Sequence, residues 1–286
     1  MLQLFRKTQV PFYINAFNLP SSYTGLHKFG NHEWGFILNN PASRVKAPKT
    51  TKKEACYFKV EQTEYILFLI EKEPIKYKPM ITLSIYGGMR EGDLNALTWS
   101  DIDFTNGIIT INKSLQHLAG EGTSIKSTKT ENTRVISVPA AVIDLLKEYK
   151  KWQNEERFKL GNLWKDSDNI FTARDGGFIY PSPISKWFLK FIRRTNEDIK
   201  NAFTIKADDK HLYLLPEVNF HGLRHTSAAL LINQGVDIST VSKRLGHARA
   251  STTMDIYSHS LLKAETEAST KLDNLFNKKV QNTKQG

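Results

Sequence analysis

Glycine interrupts an apolar pattern twice between His221 and Tyr257, and this constrains the fold more than any other stretch. The stretch reads HGLRHTSAALLINQGVDISTVSKRLGHARASTTMDIY. Leu223, Leu230 and Leu231 fall at helical spacing, and Gly235, after Asn233-Gln234, can take the left-handed conformation that ends a helix. Asp237 or Ser239 can cap a second helix, whose apolar residues Ile238, Val241 and Leu245 recur at three and four. Gly246 ends it and His247 follows directly. Ser251 starts a short third helix, on which Met254 and Ile256 are expected to be buried while Tyr257 arrives near its end.

This periodicity decides which polar side chains can meet. His221 and Arg224 are three residues apart at the mouth of the first helix, so they share a face. A helix N-terminus with an arginine and a histidine beside it suits an anion. A guanidinium offers a rigid fork of donors that matches a phosphate. His247 sits at another glycine-broken helix end and can turn to the same point, and Tyr257 adds a hydroxyl. Singly, each of these residues has an ordinary use as a cap or in packing. Together, in this order, they suit nucleophilic attack on phosphorus.

Charge points the same way. Lysine and arginine number 40 against 29 acidic residues, a formal net charge of +11. A polyanionic partner follows, either nucleic acid or an anionic membrane surface. The single cysteine, Cys56, excludes an internal disulfide and fits a reducing compartment. No run of 18 apolar residues exists, so no membrane span is expected, and MLQLFRKTQVPFY lacks the features of a signal peptide. The chain reads as cytoplasmic, in a bacterial or phage-infected cell. The eight histidines are scattered and form no metal-spaced cluster, so neither a metal nor another cofactor is expected.

Residues 1–48 are aromatic and turn-rich, without a long periodic run. A short helix near His32 to Leu38 stops at Asn39-Asn40-Pro41. Residues 49–59 read as a basic linker. Lys49, Lys52 and Lys53 there, with Lys46 just before it, can lie along a DNA backbone, adding affinity but no sequence information. From Val60 the pattern is regular. EQTEYILFLIEKE is an amphipathic helix with Tyr65 and Leu69 inward, and KPMITLSIYGG is an apolar helix ending at Gly87-Gly88. Arg90 then heads a short helix, placed for a phosphate or for a salt bridge with Asp93. Ile108–Ile111, a piece near Ser124–Lys126, and Arg134–Val138 read as strands of one small antiparallel sheet. Pro139 opens a helix with Val142, Leu145, Leu146 and Tyr149 on one face. Ser182 can cap another, with Trp187, Phe188 and Phe191 inward and Lys186, Lys190, Arg193 and Arg194 on a basic outer face. A catalytic region over 60–276 and a disordered tail over 277–286 complete the division.

Three separated motifs resemble those of the tyrosine recombinases, the phage-integrase family. They are Gly87-Gly88-Met89-Arg90 through Asp103, then His221-Gly222-Leu223-Arg224-His225, then Leu245-Gly246-His247 with Ile256-Tyr257-Ser258-His259. The resemblance implies a mainly α fold with a small antiparallel β-sheet (α+β), the tyrosine recombinase catalytic domain. It also implies a site-specific DNA recombinase that cleaves through a 3′-phosphotyrosyl intermediate. In that scheme Tyr257 is the nucleophile, His221 the base, Arg90 and Arg224 the phosphate clamp, and His247 a hydrogen-bond donor. A hairpin lysine is the general acid: Lys129 by the Lys-Thr then Arg-x-Ile pattern, with Lys126 the competitor. Lys126, Arg134, Lys186 and Lys190 are further expected DNA contacts. The partner implied is double-stranded DNA, bound by a homo-tetramer joined through the C-terminal tail, without a metal ion and without a membrane. Two departures stand out. Asp93 replaces the family's usual glutamate, and residues 1–48 are short for the usual four-helix clamp and read as its remnant. That shortness keeps open a recombination-incompetent DNA-binding remnant, and the shared chemistry keeps open a type IB topoisomerase.

Overall fold

The computed structural model describes residues 56–118, 122–127, 133–179, 183–202, 213–247, 250–256 and 269–270. Two compact units divide between Lys53 and Glu54, and all described residues lie in the second. The expectations for residues 1–55 and for the C-terminal tail therefore fall outside the described residues.

Helix α1 (Val60–Ile70) buries Thr63, Ile66 and Ile70, which lie three and four apart. Tyr65, expected inward, is exposed, and Leu69 is only partly buried. Tyr65 is offset from the Ile66 stripe by one residue, about 100° around the helix. Helix α2 (Lys78–Gly87) carries Pro79 in its first turn, where a missing N–H costs little, and buries Met80, Ile81, Leu83 and Ile85. It ends at Gly88 with φ 61°, a left-handed backbone that favours glycine. Helix α3 (Glu91–Ala96) follows at once.

Among the described residues, five strands form two separate sheets. β1 (Ile102–Asp103), β2 (Ile108–Ile111) and β5 (Arg134–Ser137) run antiparallel in that order, with Ile109 opposite Ile136 and Ile111 opposite Arg134. β3 (Lys113–Leu118) pairs with β4 (Gly122–Ser127) in a second, two-stranded sheet. The piece near Ser124–Lys126 is thus a strand, but it belongs to this second sheet and not to one sheet with β2 and β5 as expected. β3 was not foreseen, because KSLQHL has only two apolar residues, Leu115 and Leu118, too few for a clear alternation.

Helix α4 (Ala140–Leu160) starts after Pro139 and buries Val142, Ile143, Leu146 and Tyr149. Helix α5 (Pro183–Asn201) buries Ile184, Phe188, Phe191 and Ile192, and Trp187 stacks on Tyr77 at 3.9 Å between ring centroids. These helices, α1, α2 and the three-stranded sheet share one core. The glycine-broken stretch folds as read, into α6 (Gly222–Asn233), α7 (Ile238–Leu245) and α8 (Ala250–Ile256). Gly235 has φ 80°, and Asp237 caps α7 by accepting from the Thr240 N–H at 2.9 Å. Its apolar faces differ in detail. Ala228, Ala229 and Ile232 pack with Val241 and Leu245 in a second cluster, whereas Leu231 is only partly buried. On α8, Thr253 takes the buried position and Met254 is half exposed, opposite to expectation.

Candidate active site

The site is built around the turn that leaves α2. Gly88 has φ 61°, and a Cβ there would lie 2.6 Å from Leu245 Cδ2, so any other residue would be strained and would displace Leu245. Its carbonyl accepts from Arg224 Nη1 at 2.7 Å. Arg224 sits in the first turn of α6 and is only 2% exposed. Two residues past Gly88, Arg90 is the N-cap of α3. Its N–H donates to Asp93 Oδ2 at 3.2 Å, which satisfies one of the donors a helix start leaves open. Its guanidinium reaches across to α7, where Nη2 donates to the Gly246 carbonyl at 3.2 Å.

The end of α7 explains how His247 arrives. The Gly246 N–H donates to the Lys243 carbonyl and the His247 N–H to the Ser242 carbonyl, both at 3.0 Å. This paired bond with a left-handed glycine (φ 66°) is a Schellman end. It reverses the chain and places the His247 ring against α8, where Nδ1 meets Thr253 Oγ1 at 2.9 Å.

Electrostatics bring these groups into one field. The His247 pKa is pushed down to about 4, first by burial and then by the charges of Arg224 and Arg90, with smaller effects of His225 and His221. His221 is lowered by burial, then by Arg224 and Arg90. His225 falls to about 4 through burial, His221 and Arg224, and its ring meets that of His221 edge-on at 4.9 Å between centroids. All three shifts favour the neutral imidazole. Burial also lowers the Arg90 pKa, with Asp93 opposing and Arg134 reinforcing that shift.

Arg90, His221, Arg224 and His247 are thus gathered at one place. Tyr257 and Lys129 lie outside the described residues, as do Lys46, Lys49, Lys52 and Lys53. Lys126 stands in β4 opposite Ser114. Lys186 and Lys190 are exposed on α5 as expected, while their neighbours Arg193 and Arg194 pair with Glu217 and Glu73. Arg134 requires a correction. Placed among the expected DNA contacts, it is 8% exposed and its Nη2 is ion-paired with Asp93 Oδ2 at 2.5 Å. The cause is strand parity, because Arg134 shares the inward face of β5 with Ile136 while Val135 and Ser137 face out. The salt bridge weighed between Arg90 and Asp93 is accordingly displaced: the Asp93 side chain pairs with Arg134 and touches Arg90 through the backbone.

Three residues of the site escaped sequence reasoning. His225 was visible beside Arg224, and its place one turn along from His221 was the signal. Thr253 gave no signal before α8 was seen to pack on His247. Arg244, whose Nη2 donates to the Tyr86 and Ser137 carbonyls at 2.7 and 2.9 Å, carried no motif that singled it out.

Known proteins resemble this chain along most of its length. The ICEBs1 integrase of Bacillus subtilis (strain 168) is 29% identical over 260 residues, covering 91% of this chain and 65% of that protein. A XerC-like tyrosine recombinase of Caldanaerobacter subterraneus subsp. tengcongensis is 29% identical over 264 residues, covering 85% and 61% respectively. The chain spans less than two thirds of the length of either relative. Its fold is shared by the Tn1549 transposon integrase solved with circular intermediate DNA, with a TM-score of 0.64 at 19% identity over 86% of this chain and 76% of that one. The XerA recombinase has the same fold, with a TM-score of 0.53 at 20% identity over 86% and 74%. A profile of the phage integrase family matches residues 57–263, more than half of the chain, and the chain belongs to that family.

Proposed function

We propose that this protein cleaves and rejoins double-stranded DNA at specific sites, using Tyr257 as nucleophile. The observation that carries the reading is the convergence of Arg90, Arg224, His221 and His247 on the turn after α2. Arg90 and Arg224 clamp the two non-bridging oxygens of the scissile phosphate. Their charges count most as negative charge grows on the five-coordinate phosphorus. His221, neutral through burial and the nearby arginines, accepts the phenol proton as the Tyr257 oxygen attacks. The new Tyr257–phosphorus bond forms as the bond to the 5′-oxygen breaks, and Lys129 protonates that oxygen. His247 donates a hydrogen bond to the same phosphate. When Thr253 donates to Nδ1, the ring proton of His247 sits on Nε2, the atom left to meet the phosphate. The bond energy is stored in the phosphotyrosine, and a second 5′-hydroxyl reverses the step with a new partner.

The integrases and tyrosine recombinases among its relatives favour this reading over a type IB topoisomerase or a DNA-binding remnant. Assembly as a tetramer on two duplexes, and independence from metal ions, belong to the same proposal. The test is incubation with nicked duplexes tiled across the DNA flanking its gene, in EDTA. A covalent adduct is expected from wild-type protein and not from Tyr257→Phe. Equal adduct from both would remove the nucleophile, and adduct that required Mg²⁺ would remove metal independence.

A further inference from the structure

The mechanism leaves one buried cation unused. Arg134 lies on the inward face of β5, 8% exposed, and its guanidinium is held by two elements of the site. Nη2 pairs with Asp93 Oδ2 at 2.5 Å, and Nε donates to the Arg244 carbonyl at 3.0 Å. The same Asp93 oxygen accepts the Arg90 N–H at 3.2 Å. On the other side, Arg244 belongs to the last turn of α7, and the Gly246 carbonyl just beyond it accepts from Arg90 Nη2 at 3.2 Å. A closed circuit therefore runs from Arg90 through Asp93 and Arg134 to the end of α7, and back to Arg90. Gly246 is fitted to this circuit. A Cβ at that position would lie 3.0 Å from Arg134 Cδ and 3.1 Å from Nη1, so the guanidinium passes directly over the glycine.

We propose that Arg134 is a positioning residue that keeps Arg90 and His247 in register, by tying the carboxylate that caps α3 to the helix end that presents His247. This rests on the reading of Arg90 and His247 as phosphate ligands. The geometry needs a fork, because two nitrogens of one side chain serve partners on different elements. A lysine in its place keeps a charge beside Asp93 but cannot hold both. Arg90 then loses its fixed distance from His247, although neither residue is changed. A shift of about 1 Å in such a group can cost on the order of 100-fold in rate.

The test is single-turnover cleavage of a nicked duplex by Arg134→Lys, alone and in an Arg90→Ala background, with DNA affinity measured alongside. A rate loss of about 10- to 100-fold is expected in the first background. Affinity should stay within about twofold. In Arg90→Ala the same change should cost less than about twofold, since the group it positions is gone. Equal losses in both backgrounds overturn the proposal, as does a rate loss that tracks affinity. Should Arg134→Lys not fold, the pair Arg134→Met with Asp93→Asn removes both charges and leaves an amide oxygen to cap Arg90, and the same slow cleavage is expected of it. If wild-type protein forms no adduct, the phosphate reading fails by itself. The register is then read from the His247 ring resonances, which should move in Arg134→Lys and whose constancy overturns the proposal.

Discussion

Arg224 Nη1 and the Gly88 carbonyl meet at 2.7 Å although 136 residues separate them. That bond ties the first turn of α6 to the turn that carries Arg90. A lysine at 224 has one ammonium to divide between Gly88 and an incoming phosphate. Arg224→Lys should therefore slow single-turnover cleavage on the order of 100-fold, the usual cost of removing one donor aimed at developing charge. Undiminished cleavage by this variant would exclude Arg224 from the phosphate clamp.

Thr253 is fully buried and contacts the His247 ring through its hydroxyl. Thr253→Val keeps the shape and removes the donor, so the ring can carry its proton on either nitrogen. Cleavage should fall roughly tenfold while the fold persists, because a misdirected donor is lost only part of the time. Nitrogen NMR of the imidazole gives a direct check. A single tautomer in wild type and a mixture in the variant are expected, and the same spectrum in both would contradict the assignment.

Acid should destabilise the free protein through its histidines. His225 and His247 have folded pKa values of about 4, below the 6.5 of an unperturbed histidine. Between those values the unfolded chain binds more protons, so stability rises with pH there. The contribution is complete above 6.5, declines as pH falls toward 4, and changes no further below that. Melting temperature followed from pH 7.5 to 4 in His225→Gln/His247→Gln should show a shallower decline than wild type. Parallel curves would show that these histidines do not set the acid limb.

Asn95 offers a stability test away from the chemistry. It lies on α3 at 1% exposure, and neither amide atom has a hydrogen-bond partner among the described residues. A buried polar group without a partner costs about 1–3 kcal/mol. Asn95→Leu should raise the melting temperature by about 2–4 °C for each kcal/mol recovered, in a chain of this size. A fall would mean that the amide is satisfied in solution.

Sequence patterns captured the helices here better than the sheets. α6, α7 and their glycine ends could be read because periodicity and capping are local, and Gly235, Gly246 and Asp237 each carry a recognisable terminal signal. Arg90 and Arg224 could be named from their motifs, yet nothing local showed that Gly88 would join them. Strand pairing depends on distant partners. The Ser124–Lys126 piece was therefore recognised as a strand but placed in the wrong sheet, and Arg134 was assigned to the surface without its face parity. Charged residues are ordinarily outside, and Arg134 breaks that rule because Asp93 waits beneath it.

The way the arginines are anchored has a consequence for ligand capture. Arg90 rests on the Gly246 carbonyl, Arg134 on that of Arg244, Arg224 on that of Gly88, and Arg244 on those of Tyr86 and Ser137. A carbonyl orients a guanidinium as a dipole and takes none of its charge. Of the bonds described for these four side chains, one goes to a carboxylate, at Asp93. These carbonyls fix the direction of each guanidinium, and the Asp93 carboxylate adds its charge at Arg134 and near Arg90. On the proposed reading, an arriving phosphate meets guanidiniums whose aim main-chain dipoles have already set.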